Sequence, residues 1–255
     1  MALACITGAS SGIGKEFARQ LSARGFDLIL VARSRDKLDE LAASCRTHCE
    51  VIVCDLSREA ECIRLAGILE KRPLALFINN AGFGNVGLFE TCDLSRDLQM
   101  IDVNVRAVHI LTHEVLKQMK ARNKGCILNT ASAAGLMPGG PFMATYYATK
   151  SYVVSLTNAI SQELEHEGSR VRICALCPGP VDTNFNNVAN VKFSLPGINA
   201  NACVSEALKG IKKKKTIIVP GMQLKAVSLA AKLAPNRVAL PVILRTQAMK
   251  TDAQG

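Results

Sequence analysis

The strongest constraint in the chain is its first 25 residues. The apolar run Ala2-Leu3-Ala4-Cys5-Ile6-Thr7 is cut by Gly8-Ala9-Ser10-Ser11-Gly12-Ile13-Gly14, and a helical pattern then covers residues 15–23 before a stop at Gly25. A short apolar run ended by a turn reads as a buried strand. Glycines let a backbone approach a ligand closely, and the free N–H groups and dipole at a helix N-terminus favour an anion. Strand, glycine turn and helix in that order therefore read as a phosphate cradle, formed by Gly8, Ser10, Ser11, Gly12, Ile13 and Gly14.

The same alternation recurs along the chain. Strands are predicted at residues 27–32, 50–54, 74–78, 126–130, 171–176 and 216–219, with helices at 35–44, 58–71, 94–121, 146–167 and 204–210. Repeated strand–helix units with short links predict a doubly wound α/β fold, a seven-stranded parallel sheet with helices on both faces. A positive mean hydropathy suits a sheet covered on both sides. Ligands of such sheets bind at the carboxyl ends of the strands. The glycine turn, Arg33, Asp55, Asn79-Asn80, Ser132 and Pro178-Gly179 all stand just past a predicted strand end.

At 255 residues, 49% hydrophobic and 20% charged, the chain fits one globular domain. We expect residues 1–221 to form the binding and catalytic unit and residues 222–255 a helical extension of the same domain. No secretory signal, membrane span, repeat or low-complexity linker is visible, so a soluble cytoplasmic protein is expected. The ten cysteines are expected to be reduced. Cys174 and Cys177 form a C-x-x-C, but on a strand an i, i+3 pair points to opposite faces. His109 and His113 are spaced to share a helix face, with no third ligand indicated, and no metal is expected. A net charge of +10 calls for anionic company, such as a phosphorylated cofactor or an acidic carrier. Nothing resembles an aromatic-interleaved nucleic-acid platform, and the Lys212-Lys213-Lys214-Lys215 run suits a helix C-terminus. Residues 182–200 lose periodicity and are a candidate lid. The tail alternates apolar and basic residues in one or two amphipathic helices, which allow substrate closure, oligomer contact or peripheral membrane association.

Tyr146 and Lys150 are four apart on a predicted helix and so meet on one face. An ammonium beside a phenol stabilises the phenolate, so the Tyr146 pKa is expected to fall towards the range useful for acid–base work. The residue after the second strand is Arg33, with no acid before Asp36. A carboxylate there favours the 2′-hydroxyl of NAD, whereas arginine accommodates the 2′-phosphate of NADP, and Lys37 adds charge. NADP(H) is the expected cofactor.

With these residues in place, the chain resembles the single-domain branch of the short-chain dehydrogenase/reductase family, which has a Rossmann fold. The matching motifs are Thr7-Gly8-Ala9-Ser10-Ser11-Gly12-Ile13-Gly14, Asn79-Asn80-Ala81-Gly82, Asn104, Ser132, Tyr146-x-x-x-Lys150 and Pro178-Gly179. The resemblance implies a catalytic set of Asn104, Ser132, Tyr146 and Lys150. Tyr146 would be the acid, Lys150 would lower its pKa and hold the nicotinamide ribose, and Ser132 would bond the substrate oxygen. Asn104 would position a water that relays protons. It further implies cofactor contacts from Asp55 and Leu56 at the adenine, Asn80, Ala81 and Gly82 along the dinucleotide, and Pro178, Gly179, Val181 and Thr183 near the carboxamide. Leu136, Met137, Phe142 and Met143 suggest an apolar substrate surface. The implied activity is reduction of an apolar ketone or aldehyde, a 3-oxoacyl thioester or a steroid-like compound, by a homo-oligomer (dimer or tetramer). The alternatives are a non-catalytic NADP(H)-binding regulator on the same fold and, with little room for its second domain, a sugar-nucleotide epimerase.

Overall fold

The computed structural model describes residues 1–182, 197–221, 224–226, 230 and 234–251. Its strands are β1 (Leu3–Thr7), β2 (Asp27–Ala32), β3 (Cys49–Val53), β4 (Leu74–Asn79), β5 (Cys126–Thr130), β6 (Arg172–Leu176), β7 (Val181–Asp182), β8 (Ile198–Asn199) and β9 (Ile217–Ile218). Seven form one parallel sheet in the order β3-β2-β1-β4-β5-β6-β9, and β7 and β8 form a small parallel pair beyond it. The main helices are α1 (Gly12–Ser22), α2 (Arg35–Ser44), α3 (Glu59–Glu70), α4 (Leu94–Ile101), α5 (Val108–Ala121), α6 (Ala144–His166), α7 (Ala200–Lys212) and α8 (Asn236–Thr251).

Strand periodicity explains why helices cover both faces. Ala4 and Ile6 of β1, with Leu28 and Leu30 of β2, join Phe17, Leu21, Leu38 and Val204 in one core. Their neighbours Cys5, Ile29 and Val31 point the other way, into a core with Leu65, Leu69, Leu111 and Met119. The central strands are buried on both sides, so their sequences read as apolar runs, whereas the edge strand β3 is only partly covered. Cys174 and Cys177 follow the same rule, falling in separate core clusters, and the ten cysteines are free thiols.

The predicted helix over 94–121 is three segments. Between α4 and α5 the backbone takes a π-helical turn over Asp102–Ala107, an insertion that apolar periodicity does not reveal. It lies in the stretch where Asn104 is fully buried. The tail contributes α8, but Thr183 and most of the candidate lid lie outside the described residues. The lysine run ends α7, with Lys212 in the last turn and all four lysines exposed.

Candidate active site

The carboxyl ends of the strands open into a cavity of about 960 Å³. Its floor begins at the β1–α1 turn. Gly8 and Gly12 hold φ of +65° and +52°, left-handed conformations open mainly to glycine. A Cβ on Gly14 would stand 2.2 Å from the Gly8 carbonyl oxygen, so helix and turn pack closely only without a side chain. Gly8, Ser10, Ser11, Gly12 and Ile13 line the cavity, whereas Gly14 lies beneath it as a packing residue.

Asn80 ties three strand ends together. Its backbone N–H donates to Thr7 Oγ1 at 2.9 Å, and its side-chain amide donates to the Thr7 carbonyl at 3.1 Å. The Thr130 hydroxyl donates to Asn80 Oδ1 at 3.3 Å. The network fixes β1, β4 and β5 around the cavity, with Asn80, Ala81 and Gly82 on its wall. Arg33, Ser34 and Lys37 line the end next to β2, and Asp55 and Leu56 the end next to β3. Asp55 Oδ1 accepts from the Ser57 N–H and hydroxyl at 3.1 and 2.8 Å, which orients its carboxylate. Pro178, Gly179 and Val181 close the side after β6.

Ser132, Tyr146 and Lys150 meet on the same cavity wall. Ser132 follows β5 and starts a short 3-10 turn, accepting from the Ala134 N–H at 3.1 Å. Lys150, only 4% exposed, donates from Nζ to the Thr130 carbonyl at 2.9 Å and stands 5.8 Å from the Tyr146 ring centroid. Burial lowers the Lys150 pKa to about 8. Burial also pushes Tyr146 up to about 12, outweighing a lowering hydrogen bond with Ser132. This reverses the expected fall. Desolvation of the phenolate dominates over the lowering hydrogen bond.

Asn104 stands behind this wall. Its side chain exchanges hydrogen bonds with the Phe83 backbone, donating to the carbonyl at 2.9 Å and accepting from the N–H at 3.1 Å, and it donates to Thr149 Oγ1 at 3.2 Å. Its amide is therefore a brace for the β4–α4 loop. Gly82 separates it from Lys150, since a Cβ there would lie 2.9 Å from Asn104 Oδ1 and 3.2 Å from Lys150 Nζ.

The competing tyrosines separate cleanly. Tyr152 is hydrogen-bonded to His109 Nδ1 at 2.6 Å, away from the cavity-lining set. Tyr147 does line the cavity, but its hydroxyl accepts from Gln247 Nε2 of α8 at 2.5 Å. His113 is hydrogen-bonded to Glu114 at 2.7 Å, and the described residues hold no cluster of three or more metal-ligating side chains.

Of the expected apolar surface, Met137 and Met143 line the cavity. Leu136 packs into the core beneath Val153 and Val154, and Phe142, at φ +62°, turns to a small neighbouring pocket. Strand and turn patterning missed the opposite wall. Ala239, Val242, Ile243 and Thr246 of α8, with Leu224, line the cavity from the far end of the chain. The basic-apolar alternation of the tail predicts amphipathic helices with the substrate cleft as one of three destinations, but does not single out these residues.

The short chain dehydrogenase family model matches residues 2–192. The chain belongs to the short-chain dehydrogenase family. It is 35% identical over 185 residues to a very-long-chain 3-oxoacyl-CoA reductase of Kluyveromyces lactis, covering 68% of this chain and 53% of that protein. Identity to a hydroxysteroid dehydrogenase-like protein 1 of Gallus gallus is 30%, over 83% of this chain and 66% of the relative. The chain thus spans about half to two thirds of the length of these relatives. Among solved structures, a short-chain dehydrogenase from Sphingobium yanoikuyae in complex with NADPH aligns with a TM-score of 0.82 at 29% identity, covering 90% of this chain and 93% of that one. A family member from Burkholderia phymatum in complex with NAD aligns at 0.80 and 26% identity, over 89% and 92% of the two chains. The family is one of nicotinamide-dependent oxidoreductases, and its members include both NADPH and NAD complexes. Among the described residues no helix is long and apolar enough to cross a membrane.

Proposed function

We propose that this chain is an NADPH-dependent carbonyl reductase, reversible as an alcohol dehydrogenase, acting on an apolar ketone or aldehyde. The observation that carries this reading is the meeting of Ser132, Tyr146 and Lys150 on one wall of a cavity whose other end holds a glycine cradle. The donor set fits a phosphorylated dinucleotide. Left-handed Gly8 and Gly12 let the backbone approach a diphosphate, and Gly82 leaves space beside Lys150. Arg33 and Lys37, exposed and both on the cavity rim, suit a 2′-phosphate better than a 2′-hydroxyl.

When bound, the dinucleotide supplies the hydride. Tyr146, a phenol that is protonated at neutral pH, donates the proton to the oxygen that becomes the alcohol. The Ser132 hydroxyl lies 3.5 Å from the Pro178 carbonyl, a loose bond, and turns to stabilise charge developing on that oxygen. Lys150 holds a cation against the wall and favours the phenolate as its proton leaves. The described part of the 222–255 extension is read as belonging to the same domain, since α8 lines the cavity. Mixing the protein with NADPH and a panel of acyl thioesters, steroids and small aldehydes, while following the reduced-nicotinamide absorbance, tests the reading. Turnover on at least one apolar carbonyl is expected, with NADPH preferred to NADH. Dinucleotide binding without turnover across the panel would refute it in favour of a regulator.

A further inference from the structure

Behind the wall that carries Tyr146 and Lys150 lies a second layer of polar side chains. Asn129 of β5 is fully buried, and its amide reaches two helices at once. Its Oδ1 accepts from the Thr112 hydroxyl of α5 at 3.2 Å, and its Nδ2 donates to Thr157 Oγ1 of α6 at 3.1 Å. Asn79 stands opposite Asn129 in the β4–β5 register. Its Nδ2 donates to the Val108 carbonyl at 3.2 Å and to Thr112 Oγ1 at 3.4 Å. Thr112 and Thr157 are as buried as Asn129, at 1% and 0% exposed. Neighbouring contacts of the same helices, made by Val108, Val153 and Val154, are apolar.

Apolar contacts tolerate small slides, whereas a satisfied buried polar network specifies one register, because any other leaves its members without partners. Register matters here because of where Asn129 and Thr157 stand. Thr130, the next residue of β5, supplies the carbonyl that accepts from Lys150 Nζ at 2.9 Å. Thr157 lies about two turns beyond Lys150 on the same face of α6. A second polar link stands nearer the catalytic end, where Asn104 donates to Thr149 Oγ1 of α6 at 3.2 Å. We propose that Asn129 is a positioning residue: by tying Thr157 and Thr112 to β5 it fixes the height of α6 at which Lys150 meets the Thr130 carbonyl and Tyr146 meets Ser132. This rests on the reductase reading and deepens it, since the proton-transferring side chains are held from behind by a residue outside the cavity-lining set.

Two substitutions at Thr157 separate positioning from stability. Thr157→Val keeps the shape and removes the hydroxyl, whereas Thr157→Ser keeps the hydroxyl and removes a buried methyl group. Both should lower the urea midpoint. In Thr157→Val, kcat on a carbonyl from the panel above should fall by about tenfold or more, because small misplacements of reacting groups are costly, with the Kd for NADPH unchanged. Thr157→Ser should keep most of kcat. Thr112→Val, which removes the other partner of Asn129, should act in the same direction as Thr157→Val. A readout free of turnover is the ionisation of Lys150, followed by the pH dependence of its acetylation with acetic anhydride and peptide mass spectrometry. The pKa of about 8 should rise towards 10.5 in Thr157→Val, as the loosened wall admits water, and stay in place in Thr157→Ser. Labelling assigns the ionisation to Lys150 itself, apart from Tyr146 and Cys177, its titratable neighbours on that wall. A loss of kcat that tracks the urea midpoint equally in Thr157→Val and Thr157→Ser would overturn the proposal. So would an unchanged kcat and Lys150 ionisation in folded Thr157→Val. If the wild type reduces no carbonyl but the Lys150 ionisation moves in Thr157→Val and not in Thr157→Ser, the reductase reading falls and the positioning role stands.

Discussion

Replacing Lys150 with methionine should abolish activity and yet stabilise the protein at neutral pH. Lys150 is 4% exposed, and burial lowers its pKa from 10.5 to about 8. A pKa difference of one between the folded and unfolded chain is worth about 1.4 kcal/mol, so holding the ammonium in this wall costs the folded state about 3 kcal/mol at pH 7. Methionine has similar length and no charge. Its own cost is the Thr130 carbonyl left without the Nζ donor now 2.9 Å away, about 1 to 2 kcal/mol. The net gain is about 1–2 kcal/mol, or roughly 3–6 °C in Tm for a chain of this size. The pH dependence gives the sharper test. Between pH 8 and 10.5 the unfolded chain binds more protons at Lys150 than the folded one does, so this residue makes the wild type more stable as pH rises. The advantage of Lys150→Met should therefore shrink through that window and reverse near its upper end. The thiols of Cys49, Cys62 and Cys203, each raised from 9.0 to about 12, add a pH dependence there too, because they ionise in the unfolded chain before they do in the folded one. They are common to both proteins and cancel in the difference. With no tryptophan in the chain, urea unfolding followed by far-ultraviolet circular dichroism at several pH values is the suitable assay. A variant less stable than wild type at pH 7, or a gap that does not change from pH 7 to 10, would refute the account of Lys150 as a strained buried cation.

Three further outcomes follow from the same wall and cradle. Tyr146→Phe should lower kcat by about a hundredfold or more through loss of the proton donor, while Tyr147→Phe, which breaks only the bond from Gln247, should keep most of it; steady-state rates with one shared substrate decide. Arg33→Ala should raise KM for NADPH by about tenfold and leave KM for NADH nearly unchanged, and an unchanged NADPH value would remove the 2′-phosphate assignment. Gly14→Ala puts a methyl group 2.2 Å from the Gly8 carbonyl and 2.7 Å from Asn80 Nδ2, and backbone cannot yield cheaply. We expect at least about 1–3 kcal/mol of destabilisation with weaker dinucleotide binding, read by urea unfolding and by titration with NADP⁺.

Much of this architecture is legible without coordinates because its signals are local. A parallel strand covered on both faces must be apolar at nearly every position, so Asp27–Ala32 and Cys126–Thr130 can be read to the residue. A tight turn that meets a helix must be glycine where a Cβ has no space, which marks Gly8, Gly12 and Gly14. Helical spacing alone brings Tyr146 and Lys150 to one face, and their meeting with Ser132 follows from the sheet order.

Other features depend on which distant surfaces come together. Leu136 and Met137 are adjacent and equally apolar, yet the 3-10 turn sends one into the core and the other to the cavity. Helical periodicity over 94–121 carries no mark of the π-helical turn, nor of the Phe83 backbone that occupies the Asn104 side chain. Even the direction of the Tyr146 pKa needed the burial of the whole wall, since a sequence shows a neighbouring cation but not the solvent it has lost. The chain by itself determined a parallel sheet, a phosphate cradle and a paired tyrosine and lysine, because each is set by residues within a few positions of one another. Packing alone decided that α8 lines the cavity and that Asn129 lies between Thr112 and Thr157, because both depend on contacts between segments far apart in sequence.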